Sequence, residues 1–167
     1  MFDFLKGKTK ANPQSLALAF HKLTQISEEE AAEYLDFIRE SGVPPNQAMG
    51  ELIFLLMFTV EIAIFGLLDD IPYRDAVLVA YGTYWDDIEA KGPPGFQGMR
   101  SSRLRSYAEA YKQESSVKGI LKVGEKFAEL CEGEKDDTRL AMLGALVFGG
   151  TYKDVARFLI KAEITGS

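Results

Sequence analysis

Residues 52–68 form an almost wholly apolar run, LIFLLMFTVEIAIFGLL, in which Glu61 is the one charged side chain. As an α-helix, this run would be roughly 25 Å long at about 1.5 Å per residue, shorter than a bilayer core of about 30 Å. A charge near the middle of a bilayer is costly, and no obvious basic anchor flanks the run. Because a helix without a polar face must be covered on all sides, we predict a central helix over about residues 46–68 of a water-soluble domain.

Helix-start signals recur along the rest of the chain. A helix-capping residue stands directly before a proline at Asn12, and Ser27 is followed by Glu30 at the spacing of a capping box. Asp70, just before Pro72, predicts a further start. Weaker signals of the same kind lead us to expect caps at Asn46, at Ser101 or Ser102, at Asp136 or Asp137, and at Thr151.

Breaks between the helices are predicted from glycine and proline. The densest break is Gly92–Gly98, GPPGFQG, which we expect to be a surface loop, and Gly149-Gly150 predicts the end of a seventh helix. No useful run of alternating polarity indicates a strand. The sequence therefore predicts an all-α fold, a single globular domain of roughly eight helices packed around the apolar helix, over residues 12–167, after a flexible N-terminal segment of residues 1–11.

Composition excludes several classes of protein. The chain has 19 basic and 25 acidic side chains, a net charge of −6 that works against binding nucleic acid. One cysteine and one histidine leave no disulfide framework and few metal-binding nitrogens or thiolates, and they suit the cytoplasm. Residues 1–10 mix aromatics with lysines but lack a signal-peptide pattern, so we expect at most weak membrane contact there.

Five residues are candidates for a ligand-binding site. Glu61 needs a cation or hydrogen-bond donors if it is buried, and its acid would then have a raised pKa. Tyr81, Tyr84 and Trp85 gather aromatic rings with polar tips within two helical turns. Arg103 belongs to a group of arginines that we place at a helix start, where an anion could bind. The alternative for each is structural: core packing for the aromatics, and pairing with opposite charges for Glu61 and Arg103.

Acidic clusters offer a weaker, metal-binding interpretation. Asp86, Asp87 and Glu89 stand close together in sequence, as carboxylate ligands of a divalent cation can. A diiron bundle also needs Glu-x-x-His pairs, and His21 is not in one. A solvated helix face accounts for these acids, so we assign no metal, no cofactor and no catalytic residue.

The functional hypotheses follow from these features. The leading one is a non-enzymatic helical protein that acts through protein–protein interaction, either by self-association or by binding a partner as a regulator or inhibitor does. The first alternative is a small-molecule-binding protein or enzyme with a pocket between helices. The second alternative is a metal-dependent hydrolase.

Overall fold

Seven α-helices and no strand make up the part of the chain that the computed structural model describes, which is residues 11–92, 96–112, 116–132 and 138–165. The side chains of 96, 97, 116 and 162–165 are outside this description, as are residues 1–10, which hold nearly all of the predicted flexible segment. The helices are α1 Pro13–Lys22, α2 Glu28–Arg39, α3 Pro45–Leu67, α4 Ile71–Lys91, α5 Phe96–Lys112, α6 Ser116–Leu130 and α7 Thr138–Thr165.

The predicted central apolar helix is confirmed as α3, which packs against α2, α4, α5, α6 and α7. Twelve of its 23 residues are buried. Among the described helices, α3 is the one long and apolar enough to cross a membrane, with a mean hydropathy of 2.0 over its most apolar window. Since 67% of that window is buried among the other helices, α3 has the surroundings of a core helix.

Three of the predicted helix starts are present with their hydrogen bonds. Asn12 accepts from the Gln14 amide at 2.8 Å, and the Ser27 hydroxyl accepts from the Glu30 amide at 3.2 Å. The Glu30 carboxylate in turn accepts from the Ser27 amide at 2.8 Å, which completes the capping box. Asp70 accepts from the Tyr73 amide at 3.1 Å, so α4 starts as predicted. These starts are set by contacts within four residues.

Two other starts differ from the prediction. Helix α3 begins at Pro45, after Pro44, which makes no side-chain cap, so Asn46 lies inside the helix. Helix α5 begins at Phe96, which puts Ser101 and Ser102 in its interior and shortens the predicted loop. Residues 96–98 are helical although their glycine-rich sequence disfavours a helix locally. The expected start at Asp136 or Asp137 lies outside the described residues.

The predicted stop at Gly149-Gly150 is wrong, and Thr151 caps no helix, because α7 continues to Thr165. This joins the predicted seventh and eighth helices into one. Each glycine costs a helix only about 1 kcal/mol relative to alanine. Buried side chains on both sides of the pair, Phe148 and Val155, are held by the core and offset that cost.

Among the described helices, α6 and α7 pack against each other most extensively. Gly124 lies so close to α7 that a Cβ atom there would meet the Ala141 carbonyl oxygen and approach the Ala145 amide nitrogen to 2.9 Å. A Cβ atom added at Gly144 would likewise lie only 2.7 Å from the Cβ of Phe127. Helix α1 packs mainly on α4 instead of α3, which leaves space between the ends of α1 and α4 and the first turns of α3.

Candidate functional site

A buried ion pair joins α3 to α5. The Glu51 side chain is 5% exposed, and its Oε2 lies 2.9 Å from Arg103 Nε. The Nε–H bond of Arg103 is not aligned for a hydrogen bond to this oxygen, so the contact is an ion pair. Tyr107, which is fully buried, donates from its hydroxyl to Glu51 Oε1 at 2.9 Å. Burial raises the pKa of Glu51, while Tyr107 and Arg103 favour the charged form and act in the opposite direction.

This ion pair changes the interpretation of Arg103. We expected Arg103 near Glu61 and the aromatic cluster, at a helix start, yet it stands in the middle of α5 with Glu51 as its partner. The nearby Cys131 is buried, and burial with the Glu51 charge raises its pKa to about 12, which makes the thiol inert at neutral pH. Neither Glu51 nor Arg103 lines the groove described below, so this cluster joins helices.

The aromatic candidates come together with a residue that we did not include among them. His21 stacks on Tyr84 with ring centroids 5.5 Å apart and meets Trp85 edge-on at 5.1 Å. Trp85 also contacts Tyr81 edge-on at 6.4 Å. Tyr81 is fully buried, and burial raises its pKa well above the ordinary value. These ring contacts connect α1 to α4.

Glu61 lies partly buried on α3, near enough to Tyr81 and Arg100 for their charges to interact. Burial raises its pKa, and the positive charge of Arg100 reduces that rise. Arg100 is also paired with Asp86 at 3.0 Å and with Glu89 at 2.6 Å. Two of the three acids considered as metal ligands are therefore held by an arginine. Among the described residues, no three Asp, Glu, His or Cys side chains are grouped so as to hold a metal ion.

An open groove of about 550 Å³ lies between the ends of α1 and α4 and the start of α3. Trp85 and His21 form one wall, and Met49, Gly50 and Ile53 on α3 form the other. Beside it, the Nδ1 atom of His21 and the Nε1 atom of Trp85 are buried without completing a hydrogen bond. Such groups are rare in folded proteins, since a buried polar atom normally has a partner.

An exposed apolar surface lies on the outside of α6 and α7. Its members, which we call the α6–α7 face, are Val117, Leu121, Met142 and Leu146, and their exposed fractions run from 55% to 69%. Each helix contributes two residues four positions apart, which places them on one side of that helix. Large apolar side chains grouped on a surface commonly mark an interaction site.

Sequence reasoning found part of these features. It identified Tyr81, Tyr84, Trp85 and Glu61, and the structure brings these four into one neighbourhood without Arg103. It missed Glu51, although the buried apolar residues three before and four after it, Ala48 and Leu55, put it on the inner side of the helix. It gave no signal for the α6–α7 face, because a helix stripe looks alike whether a neighbour or solvent covers it.

No protein-family model, curated protein or solved structure matches this chain. Its function is therefore inferred from its own geometry.

Proposed function

We propose that this chain is a non-enzymatic helical protein that acts by protein–protein association through the α6–α7 face, and that the partner is a second copy of the chain. The observation that carries the proposal is the exposure of four large apolar side chains on two adjacent helices: Val117 at 69%, Leu146 at 59%, and Leu121 and Met142 at 55% each. Burying them against a partner would remove this apolar area from water and favour association.

The close contact of the two helices makes this face suitable for docking. Because Gly124 lets the backbones of α6 and α7 approach each other closely, a partner could contact the exposed sides of both helices at once. Two such hairpins, placed face to face about a twofold axis, would form a four-helix arrangement with the four residues of each copy at its centre. A twofold contact needs a surface that complements itself, and an apolar surface does so without requiring opposite charges.

The distribution of charge opposes the association of two copies through residues 11–92 more strongly than their association through the α6–α7 face. Residues 11–92 contain 14 acidic and 4 basic side chains, so two copies meeting there would repel each other. Helices α6 and α7 together contain 7 basic and 4 acidic side chains. On α6, Lys122 pairs with Glu125 at 2.7 Å and Lys126 with Glu129 at 2.6 Å, which leaves little net charge along that helix.

The test is the molar mass of the full chain in solution, measured by size-exclusion chromatography with light scattering across a range of concentrations. We expect twice the chain mass of 18.5 kDa for the natural sequence and a single-chain mass for Leu146→Lys. Val79→Lys is the matched control, because Val79 is an aliphatic residue on α4 with a similar exposure of 70%. It should remain a dimer.

Two results would overturn the proposal. One is a natural chain that stays monomeric at the highest concentration reached. The other is a dimer that Leu146→Lys leaves intact, or that both lysine variants weaken equally. Circular dichroism of each variant shows whether the helices are retained, so that loss of the dimer is read only from folded protein.

A further inference from the structure

We propose that the groove between α1, α3 and α4 binds a small uncharged molecule that has an aromatic or aliphatic body and one hydrogen-bond acceptor. This inference goes beyond the association proposed above, since the groove is formed by other helices. The groove volume of about 550 Å³ falls within the range of about 300–1,000 Å³ that ligand pockets occupy.

The lining of the groove selects for an apolar body. Ile26, Met49, Ile53, Trp85 and Ile88 contribute most of its apolar wall. Ile88 is 40% exposed, so the apolar surface continues to the mouth of the groove. An aromatic ring or a branched chain placed there would cover this surface and displace water from it.

The lining also selects against charge. The polar side chains that line the groove are His21, Thr24, Gln25 and Asn46, none of which is an acid, a lysine or an arginine. Burial lowers the pKa of His21, which keeps its ring neutral at physiological pH. A charged ligand would lose hydration here without gaining an opposite charge in return.

The indole N–H of Trp85 indicates which hydrogen-bonding group the ligand should carry. Trp85 is 5% exposed and lines the groove, and its indole N–H interacts with the neighbouring Tyr81 hydroxyl without the alignment of a full hydrogen bond. An indole nitrogen can only donate, so a ligand carbonyl or ether oxygen is the group that complements it. Leaving a buried donor without a well-aligned acceptor is unfavourable, and a small side-chain movement that brought it to a ligand oxygen would recover part of that loss.

The uncharged naphthyl ketone prodan is the probe, because it combines an aromatic body with one carbonyl acceptor. Trp85 is the single tryptophan of the chain, so its emission reports on the groove alone. We expect saturable binding of one prodan per chain, with quenching of Trp85 emission and a blue shift of prodan emission.

Two glycine variants give a matched pair. A Cβ atom at either Gly50 or Gly82 meets no atom within 4 Å, so both helices tolerate a larger residue. Gly50 lines the groove and Gly82 does not. Gly50→Leu should fill the groove and weaken prodan binding at least about tenfold, or about 1.4 kcal/mol, while Gly82→Leu should change it less than about twofold.

Several outcomes overturn the inference. They are prodan binding that does not saturate, equal binding by the natural chain and Gly50→Leu, and equal loss in both leucine variants. A Trp85 emission spectrum that shifts with protein concentration alone would show that a second copy of the chain fills the groove instead. The same concentration series on Leu146→Lys separates this result from association through the α6–α7 face, because only a contact through the groove would persist in that variant.

Discussion

Glu61 and Glu51 show how burial changes the chemistry of single residues in this fold. Each is an acid on the apolar helix α3, and burial is the main cause of the raised pKa of both. Glu51 has an arginine and a tyrosine hydroxyl in direct contact, at 2.9 Å each. Among the described residues, the charge of Arg100 is the one that offsets the burial of Glu61. The fold therefore stabilises the charged form of Glu61 less directly than the charged form of Glu51.

The first prediction concerns the effect of Glu61 on stability as pH changes. The native state holds the Glu61 proton more tightly than the unfolded state, whose pKa is near the ordinary 4.5. The native state then binds more protons, so the free energy of unfolding falls as pH rises from about 4.5 through the raised pKa. Glu61→Gln removes this fall. Relative to the natural chain, the variant should be more stable at about pH 7 than it is at about pH 4.

Urea unfolding at the two pH values measures this difference. Glu29→Gln is the control, because Glu29 is exposed on α2 and the substitution removes the same charge. Its stability relative to the natural chain should change much less between the two pH values. The prediction is wrong if Glu61→Gln shows the same relative stability at both.

Residues also show the limit of sequence reasoning for the site. Tyr81, Tyr84 and Trp85 were identified because they are neighbours on one helix, and their spacing fixes that they share a side of it. The partner of Arg103 could not be identified, because Glu51 is 52 positions earlier and the two meet only through the packing of α5 on α3. A long-range pair depends on crossing angles that no local pattern encodes.

Among the helices, the predicted starts and the predicted ends differ in how well they agree with the structure. The starts at Asn12, Ser27 and Asp70 are confirmed because each rests on a hydrogen bond to an amide two or three residues ahead. The end at Gly149-Gly150 was wrong because packing of the residues around it outweighs the preference of glycine for turns. The starts expected at Asn46, at Ser101 or Ser102 and at Thr151 are also wrong, because these residues lie inside helices. A local cap therefore predicts a helix start only where tertiary contacts do not extend the helix past it.

The second prediction tests the continuity of α7. Gly150 is exposed, a Cβ there meets nothing within 4 Å, and it is not among the glycines with positive φ. Gly150→Ala should therefore raise the free energy of unfolding by about 0.5–1 kcal/mol, since alanine loses less backbone freedom in a helix. If α7 stopped here with a left-handed glycine, the same change would destabilise the protein. Urea unfolding at one pH measures the sign.

Gly144→Ala is the contrasting variant on the same helix. Its new Cβ atom would lie 2.7 Å from the Cβ of Phe127, so α6 and α7 would have to separate. A loss of about 1–3 kcal/mol is expected from such overpacking. Destabilisation by both alanine variants would contradict the continuity of α7, and stabilisation by both would contradict the close α6–α7 contact.

Across the whole molecule, the number of buried residues differs sharply between helices. Helix α3 has twelve buried residues and contacts five other helices, while α2 has only Ile38 buried. Helix α2 also carries five acidic side chains and a single arginine in twelve residues, and their mutual repulsion weakens it further. Opening α2 exposes little apolar surface, whereas opening α3 requires the fold to come apart.

The third prediction is a gradient of amide hydrogen exchange that follows this difference. Amides of α2 should exchange through local opening, at least about tenfold faster than those in the middle of α3, which is about 1.4 kcal/mol in opening free energy. The slowest α3 amides should report the same free energy as global unfolding by urea. Exchange measured by mass spectrometry on peptides from the two helices gives both values.

Ser27→Ala sharpens the test. Losing the capping box should speed exchange in α2, while the slowest α3 amides should still report the free energy of global unfolding. Equal protection of α2 and α3 in the natural chain would mean that α2 opens only with the core, against the burial seen here.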